Sequence, residues 1–258
     1  MSRALVLMYH QVDLPLSHRE ARFCTPPQAF AAQMRWLVER GYRSATLDDI
    51  HDHVTGVRTL PERSVHITFD DGFVGVLEHA LPVLAEHRLA ASLFMVAGRM
   101  GDTNDWMHTR GYPRRALLSP AQLRLLAAEG VTIGSHTSTH VRLPEVEPQR
   151  AQIEIRDSKC RLEDTLGSEV RHFAYPYGAF DAQARAWVAA AGYRSACSTR
   201  SGFNRPGEDP YTIRRIDVYG TDRLWQFAQK LTFGHNDATR LYPLHYYTQR
   251  LRQRLTGG

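Results

Sequence analysis

The chain has 258 residues, 43% of them hydrophobic and 23% charged, enough to bury a sizeable core and inconsistent with a disordered or fibrous protein. No run approaches the ~20 apolar residues of a membrane-spanning helix, and the first apolar stretch breaks at His10, Gln11 and Asp13, too early for a secretory signal core. The net charge of +5 comes from arginines scattered among acids, with Lys159 and Lys230 the only lysines, so a nucleic-acid partner is not expected.

Leu5–Tyr9 reads as a buried strand. Pro27–Glu39 reads as a helix, opened by proline, with Phe30, Met34, Leu37 and Val38 at helical spacing and Gly41 beyond its end. A short helix is expected over Leu47–Val54, then a strand over Val65–Phe69 that runs into Asp70-Asp71-Gly72. Val76–His87 is expected as a helix kinked at Pro82, followed by a strand at Ala91–Val96. The region from Gly98 to Arg115 is the longest irregular insertion, with Trp106 and Tyr112 as residues that line a cleft or simply pack. Ser119 is placed to cap a helix over Pro120–Ala128, and a strand follows at Val131–Ile133. Further on come a long helix (Glu147–Leu166, stopped by Gly167), a strand (His172–Tyr175), a helix (Asp181–Ala191) and a strand (Tyr193–Cys197). A strand at Ile213–Val218 and a helix at Asp222–Lys230 complete the series.

Alternating strands and helices signal a parallel α/β fold, either a barrel or a doubly wound sheet, in a single domain. Both place active sites at the C-terminal ends of strands. Cys24, Cys160 and Cys197 are odd in number and far apart, so neither a disulfide framework nor a cysteine zinc site is expected.

Three polar clusters follow predicted strands: Thr68-Phe69-Asp70-Asp71-Gly72, Ser135-His136-Thr137-Ser138-Thr139-His140 and Tyr175-Pro176-Tyr177-Gly178. Adjacent carboxylates repel, so burying them together calls for a cation. Two histidines four residues apart on a curled loop can reach one ion, and one carboxylate with two imidazoles is a usual catalytic zinc set. Each cluster alone is weak evidence. Asp-Asp-Gly is a common turn, and 13 histidines give such spacings by chance; the force lies in all three at strand ends.

Taken together, these motifs resemble the polysaccharide deacetylase family (carbohydrate esterase family 4, the NodB homology domain), over about residues 5 to 230. The resemblance implies a distorted (β/α) barrel of about seven strands and a hydrolase that removes the acetyl group from an N-acetylhexosamine. It implies one divalent ion, expected to be Zn²⁺, on Asp71, His136 and His140. It implies Asp70 as general base and the Tyr177 backbone N–H as an oxyanion donor.

Two departures stand out. Many members have an arginine that tethers the base where this chain has Ala174, so the tether is sought at Arg214 or Arg215, with Arg215 preferred. The late histidine motif is also missing. An N-terminal Tyr9-His10 pair at the end of the first strand resembles biofilm poly-N-acetylglucosamine deacetylases and makes His10 the candidate general acid, with His235 and His245 as rivals. The substrate is left open as a polymer, a lipid-linked sugar or a nucleotide-linked sugar. A related hydrolase of non-sugar C–N bonds and a non-catalytic carbohydrate-binding protein are the alternatives. The expected location is the cytoplasm, and the basic extension 238–258 is a candidate for contact with the inner face of the membrane, or a helix packed on the barrel.

Overall fold

The computed structural model describes residues 2–239 and 241–242; the proposed membrane contact of the C-terminal extension, and His245, fall largely or wholly outside them. The element series is β1 (Ala4–Tyr9), β2 (Gln11–Val12), β3 (Cys24–Thr25), α1 (Pro27–Glu39), β4 (Arg43–Ser44), α2 (Leu47–Val54) and β5 (Ser64–Phe69). It continues with α3 (Leu81–His87), β6 (Ala91–Met95), α4 (Pro120–Ala128), β7 (Thr132–Ser135), α5 (Pro148–Leu166) and β8 (His172–Ala174). The last are α6 (Ala182–Ala190), β9 (Ser195–Cys197), β10 (Ile216–Asp217) and α7 (Leu224–Phe233). No described helix is long and apolar enough to cross a membrane.

Seven parallel strands lie side by side in the order β10-β1-β5-β6-β7-β8-β9. This is the curled, seven-stranded α/β barrel that the family resemblance implies, and not the doubly wound sheet that the strand–helix pattern also allowed. An eighth, β4, pairs with the first two residues of β5, while β6 pairs with its last three. The curl is visible in which side chains meet. Ala4 and Val6 of β1 cluster with Phe94 of β6, Ala174 of β8 and Cys197 of β9, although β1 pairs with none of these strands. Their alternates Leu5, Leu7 and Tyr9 instead join Phe30 and Met34 of α1 in the larger cluster under the helices. That is the two-residue period of a strand buried on both faces.

The two edges of the sheet meet at one segment. Ile213 bridges to Cys197 of β9, and Ile216 pairs with Leu7 of β1. The expected strand over Ile213–Val218 is therefore split. Its partner changes part-way along, which leaves only Ile216–Asp217 as a regular strand.

Local chemistry explains the helix starts. Thr46 and Ser119 each complete a reciprocal capping box, with Asp49 and Gln122 respectively. The helix expected to kink at Pro82 instead opens with a π turn at Val76–Ala80 and becomes α-helical from Leu81. Proline lacks an N–H and its ring crowds the carbonyl four residues back, which the wider turn accommodates.

Candidate metal centre

The parallel strands bring the polar clusters to one end of the barrel, where β1 ends before His10, β5 before Asp70 and β7 before His136. Asp71, His136 and His140 offer ligand atoms that all lie within 4.8 Å of one another. Nε2 of His136 is 3.6 Å, and Nε2 of His140 3.2 Å, from Asp71 Oδ1. All three residues are buried. Among the described residues this is the only group of three or more such side chains close enough to share an ion.

The donor set fits a divalent cation. Asp71 Oδ1 is buried and has no hydrogen-bond partner among the described residues, a costly state for a carboxylate oxygen unless a cation takes up its charge. Burial pushes the His136 imidazolium down to about 4, so at neutral pH the ring is a neutral ligand. Its Nδ1 contacts the carbonyl oxygen of Ala174 at 2.7 Å. A carbonyl only accepts, so Nδ1 carries the proton and Nε2 presents its lone pair to Asp71 and His140.

The backbone is bent to achieve this. Asp71, Thr137, His140 and Tyr177 have φ of 75°, 63°, 62° and 58°, and they are four of the six non-glycine residues with positive φ in the described chain. Each costs on the order of 1–3 kcal/mol, and such residues persist only where the surroundings hold them. One holding group is Glu154 of α5. Its carboxylate accepts from the Ser138 N–H at 3.0 Å, the Thr139 N–H at 2.8 Å and the Thr139 hydroxyl at 2.5 Å. Thr137 Oγ1 accepts from the His140 N–H at 3.0 Å. Gly72, with φ of 90°, is required for space as well, since a Cβ there would lie 2.1 Å from the Met95 sulfur.

Asp70 points into the same cleft and is held by Arg215. The guanidinium donates from Nη1 to Oδ1 at 2.6 Å and from Nη2 to Oδ2 at 2.8 Å, and Nε donates to the Ser198 carbonyl at 3.0 Å. Burial raises the Asp70 carboxyl, but the charge and hydrogen bonds of Arg215, together with His136 and His10, outweigh it and hold the group below the usual carboxylate range. Arg215 is fully buried, with its guanidinium 5.6 Å from the Phe94 ring inside the barrel. Arg214 alternates to the other side, near Glu208 at 3.9 Å. Arg215 thus reaches Asp70 from the segment just before β10, whereas Ala174 has no side chain long enough to do so.

His10 lines the cleft with Asp70, Asp71, His136 and Asp217. Its ring packs edge-on against Phe23, 5.2 Å between centroids. His235 instead stacks on Tyr242 at 5.1 Å and does not line the cleft. The cleft holds about 360 Å³ and is walled by the insertion as well as by strand ends. Trp106 of the insertion stacks on the His140 ring at 4.7 Å, and Tyr177 meets that ring edge-on at 4.5 Å. Arg115 fastens this wall to the N-terminal loop, donating to Glu20 at 2.6 and 2.9 Å and to Asp13 at 2.9 Å.

Glu154 and Arg115 escaped the reading of the sequence. For Glu154 a signal existed: it falls on the stripe Ala151, Ile155, Ser158 and Leu162 that α5 buries, where a lone carboxylate needs donors. Arg115 carries no such mark, because its partners lie about a hundred residues away in the chain.

The sequence matches the polysaccharide deacetylase family over residues 57–196, more than half of the chain and both sets of proposed metal ligands. The chain belongs to the polysaccharide deacetylase family. Among curated members, it is 26% identical over 235 residues to a poly-β-1,6-N-acetyl-D-glucosamine N-deacetylase of Staphylococcus epidermidis, an alignment that covers 83% of this chain and 78% of that protein. Among solved members, IcaB from Ammonifex degensii superposes with a TM-score of 0.73 and 28% identity, covering 84% of this chain and 92% of that one. The Streptococcus pyogenes deacetylase PplD, in complex with acetate, shares the fold with a TM-score of 0.76 at 21% identity, over 90% and 98% of the two chains.

Proposed function

We propose that this deacetylase removes the acetyl group from an N-acetylhexosamine unit of a glycan, with a divalent metal, expected to be Zn²⁺, as its cofactor. The observation that carries the reading is the buried Asp71–His136–His140 cluster, with its unpartnered Asp71 oxygen, beside an Asp70 held in two places by Arg215. The similarity to N-acetylglucosamine deacetylases supports the choice of substrate class.

Asp71, His136 and His140 would hold the ion. When bound, it would polarise the acetamide carbonyl and make a water nucleophilic near neutral pH. Asp70 takes the proton of the attacking water, and its low carboxyl pKa keeps it ionised for that purpose. Arg215 fixes both of its oxygens, so the base meets the water in one orientation. The Tyr177 N–H donates to the oxyanion that forms at the carbonyl carbon. His10 protonates the leaving nitrogen, a poor leaving group until it gains that proton. The products are acetate and a free amine.

Acetate release from N-acetylglucosamine oligosaccharides by the metal-loaded protein, and its loss on chelation, tests this reading. A protein that binds zinc yet frees acetate from no acetylated sugar would overturn it.

A further inference from the structure

Arg110 and Arg142 both line the cleft and take no part in the chemistry above. Arg110 ends the short helical turn Asp105–Arg110 of the insertion, and Arg142 follows His140 by two residues. The two segments converge on one side chain. The guanidinium carbons lie 4.9 and 4.2 Å from the centroid of the Tyr177 ring, and that ring is 4.5 Å from the His140 ring.

The four acids that line the cleft already have partners, Asp217 among them through the Tyr219 hydroxyl and the Asn236 amide. Asp70 is matched by Arg215 and Glu20 by Arg115, each with a contact at 2.6 Å, while Asp71 faces the two imidazoles. Among the described residues, the one ion-pair partner of Arg142 is the exposed Glu145, 3.8 Å from its Nε. Arg110 forms no ion pair among the described residues; its recorded contacts are the Tyr177 ring and a backbone carbonyl that accepts from Arg19. Two like charges drawn to one ring repel each other. Attraction to the ring holds a guanidinium in place while its N–H groups remain available to oxygen acceptors.

We propose that Arg110 and Arg142 form an anion subsite, and that the sugar deacetylated here carries, or adjoins, a carboxylate or phosphate. The proposal rests on the deacetylase reading and names the substrate class within it. Only the Tyr177 ring separates the pair from His140, so the anion belongs to the reacting sugar or its immediate neighbour. Guanidinium suits either anion, because its paired N–H groups match two oxygens of a carboxylate or phosphate. A polymer of N-acetylglucosamine alone, the substrate that names the staphylococcal relative, offers no such group.

The test compares three substrates with the full-length, metal-loaded protein: chitotetraose, a hyaluronan tetrasaccharide bearing glucuronate, and a chito-oligosaccharide bearing a phosphate monoester. Acetate release should show kcat/KM about tenfold higher for one or both charged substrates at low salt, through KM, with the advantage shrinking as ionic strength rises. Which charged substrate gains distinguishes carboxylate from phosphate. The paired change Arg110→Gln with Arg142→Gln should bring the charged-to-neutral ratio to about one, and Arg142→Lys alone should keep part of it. The ratio is the readout because a general loss through a displaced Tyr177 would lower all three rates together. Equal rates on all three substrates at low salt, or a ratio unchanged in the double variant, would overturn the subsite and leave the deacetylase reading intact. If no substrate releases acetate, the deacetylase reading fails, and calorimetric binding of the same three sugars decides the subsite: equal affinities overturn it, and tighter charged binding lost in the double variant upholds it.

Discussion

Arg215 and Asp70 meet through two hydrogen bonds, at 2.6 and 2.8 Å, in a part of the barrel where the arginine has no access to solvent. Removing one partner of a buried pair strands the other charge, so Arg215→Ala should destabilise the protein by about 3–5 kcal/mol in urea unfolding. It should also raise the Asp70 pKa, since the group that holds it low is gone. A base works only when deprotonated, so the acid limb of the pH–kcat/KM profile should move to higher pH. A limb that stays in place would take the base role from Asp70.

Asp70→Asn and His136→Ala separate chemistry from metal retention. The first should keep a stoichiometric ion and lose about 10²–10⁴ of the rate, as expected of a missing general base. The second should lose the ion and the rate together. Metal analysis by mass spectrometry on both variants reads the outcome, and full occupancy in His136→Ala would remove that residue from the ligand set.

Glu154→Gln leaves the size of the side chain nearly unchanged but weakens its hold on the Ser138 and Thr139 donors. The His140 turn should relax, and metal affinity should fall about 10–100-fold, the usual cost of losing a group that orients a ligand. Calorimetric titration of metal into apo protein measures it. An unchanged affinity would mean that the turn holds its shape without Glu154.

His10→Ala should retain the ion and bind substrate while turnover falls. The loss should be smaller on substrates whose leaving group needs no proton, such as activated aryl acetate esters. Equal losses on amide and activated ester would argue that His10 is not the acid.

Acid stability has a calculable direction. His66 is buried inside the barrel between the Ala45 carbonyl and the Ser92 hydroxyl, and burial pushes its imidazolium down to about 4. An unfolded histidine binds its proton near pH 6.5. Between those values the unfolded chain carries the extra proton, so stability is lost as pH falls from about 6.5 toward about 4, by up to ~1.4 kcal/mol per pH unit. Burial shifts His172 in the same direction. Urea unfolding of apo protein across that range should show the slope, and His66→Gln should make it shallower.

Much of this was legible in the sequence. Strand-end clusters announced the Asp71, His136 and His140 site, because a parallel barrel must bring its strand ends together. α2 and α4 run over the spans expected for them, α4 from the expected Ser119 cap. Other features were hidden for physical reasons. Strand alternation requires Arg214 and Arg215 to face opposite ways but does not say which faces in; the bridge from Ile213 to Cys197 fixes that. β2, β3 and β4 are two residues each, too short for any periodicity to register. The convergence of Arg110 and Arg142 depends on how the insertion folds back, which its irregular sequence does not encode in any repeat.

The seam at which the barrel edges meet gives the two halves of the site different origins in the chain. The proposed ligands of the ion, Asp71, His136 and His140, follow the ends of β5 and β7, elements of one continuous stretch. Arg215 lies 145 residues from Asp70, on the segment that touches both β1 and β9. On the proposed reading, the cation's ligands all come from the middle of the chain, whereas orienting Asp70 asks also that the ring be shut. Metal occupancy and turnover would then respond differently to a ring left open at its seam.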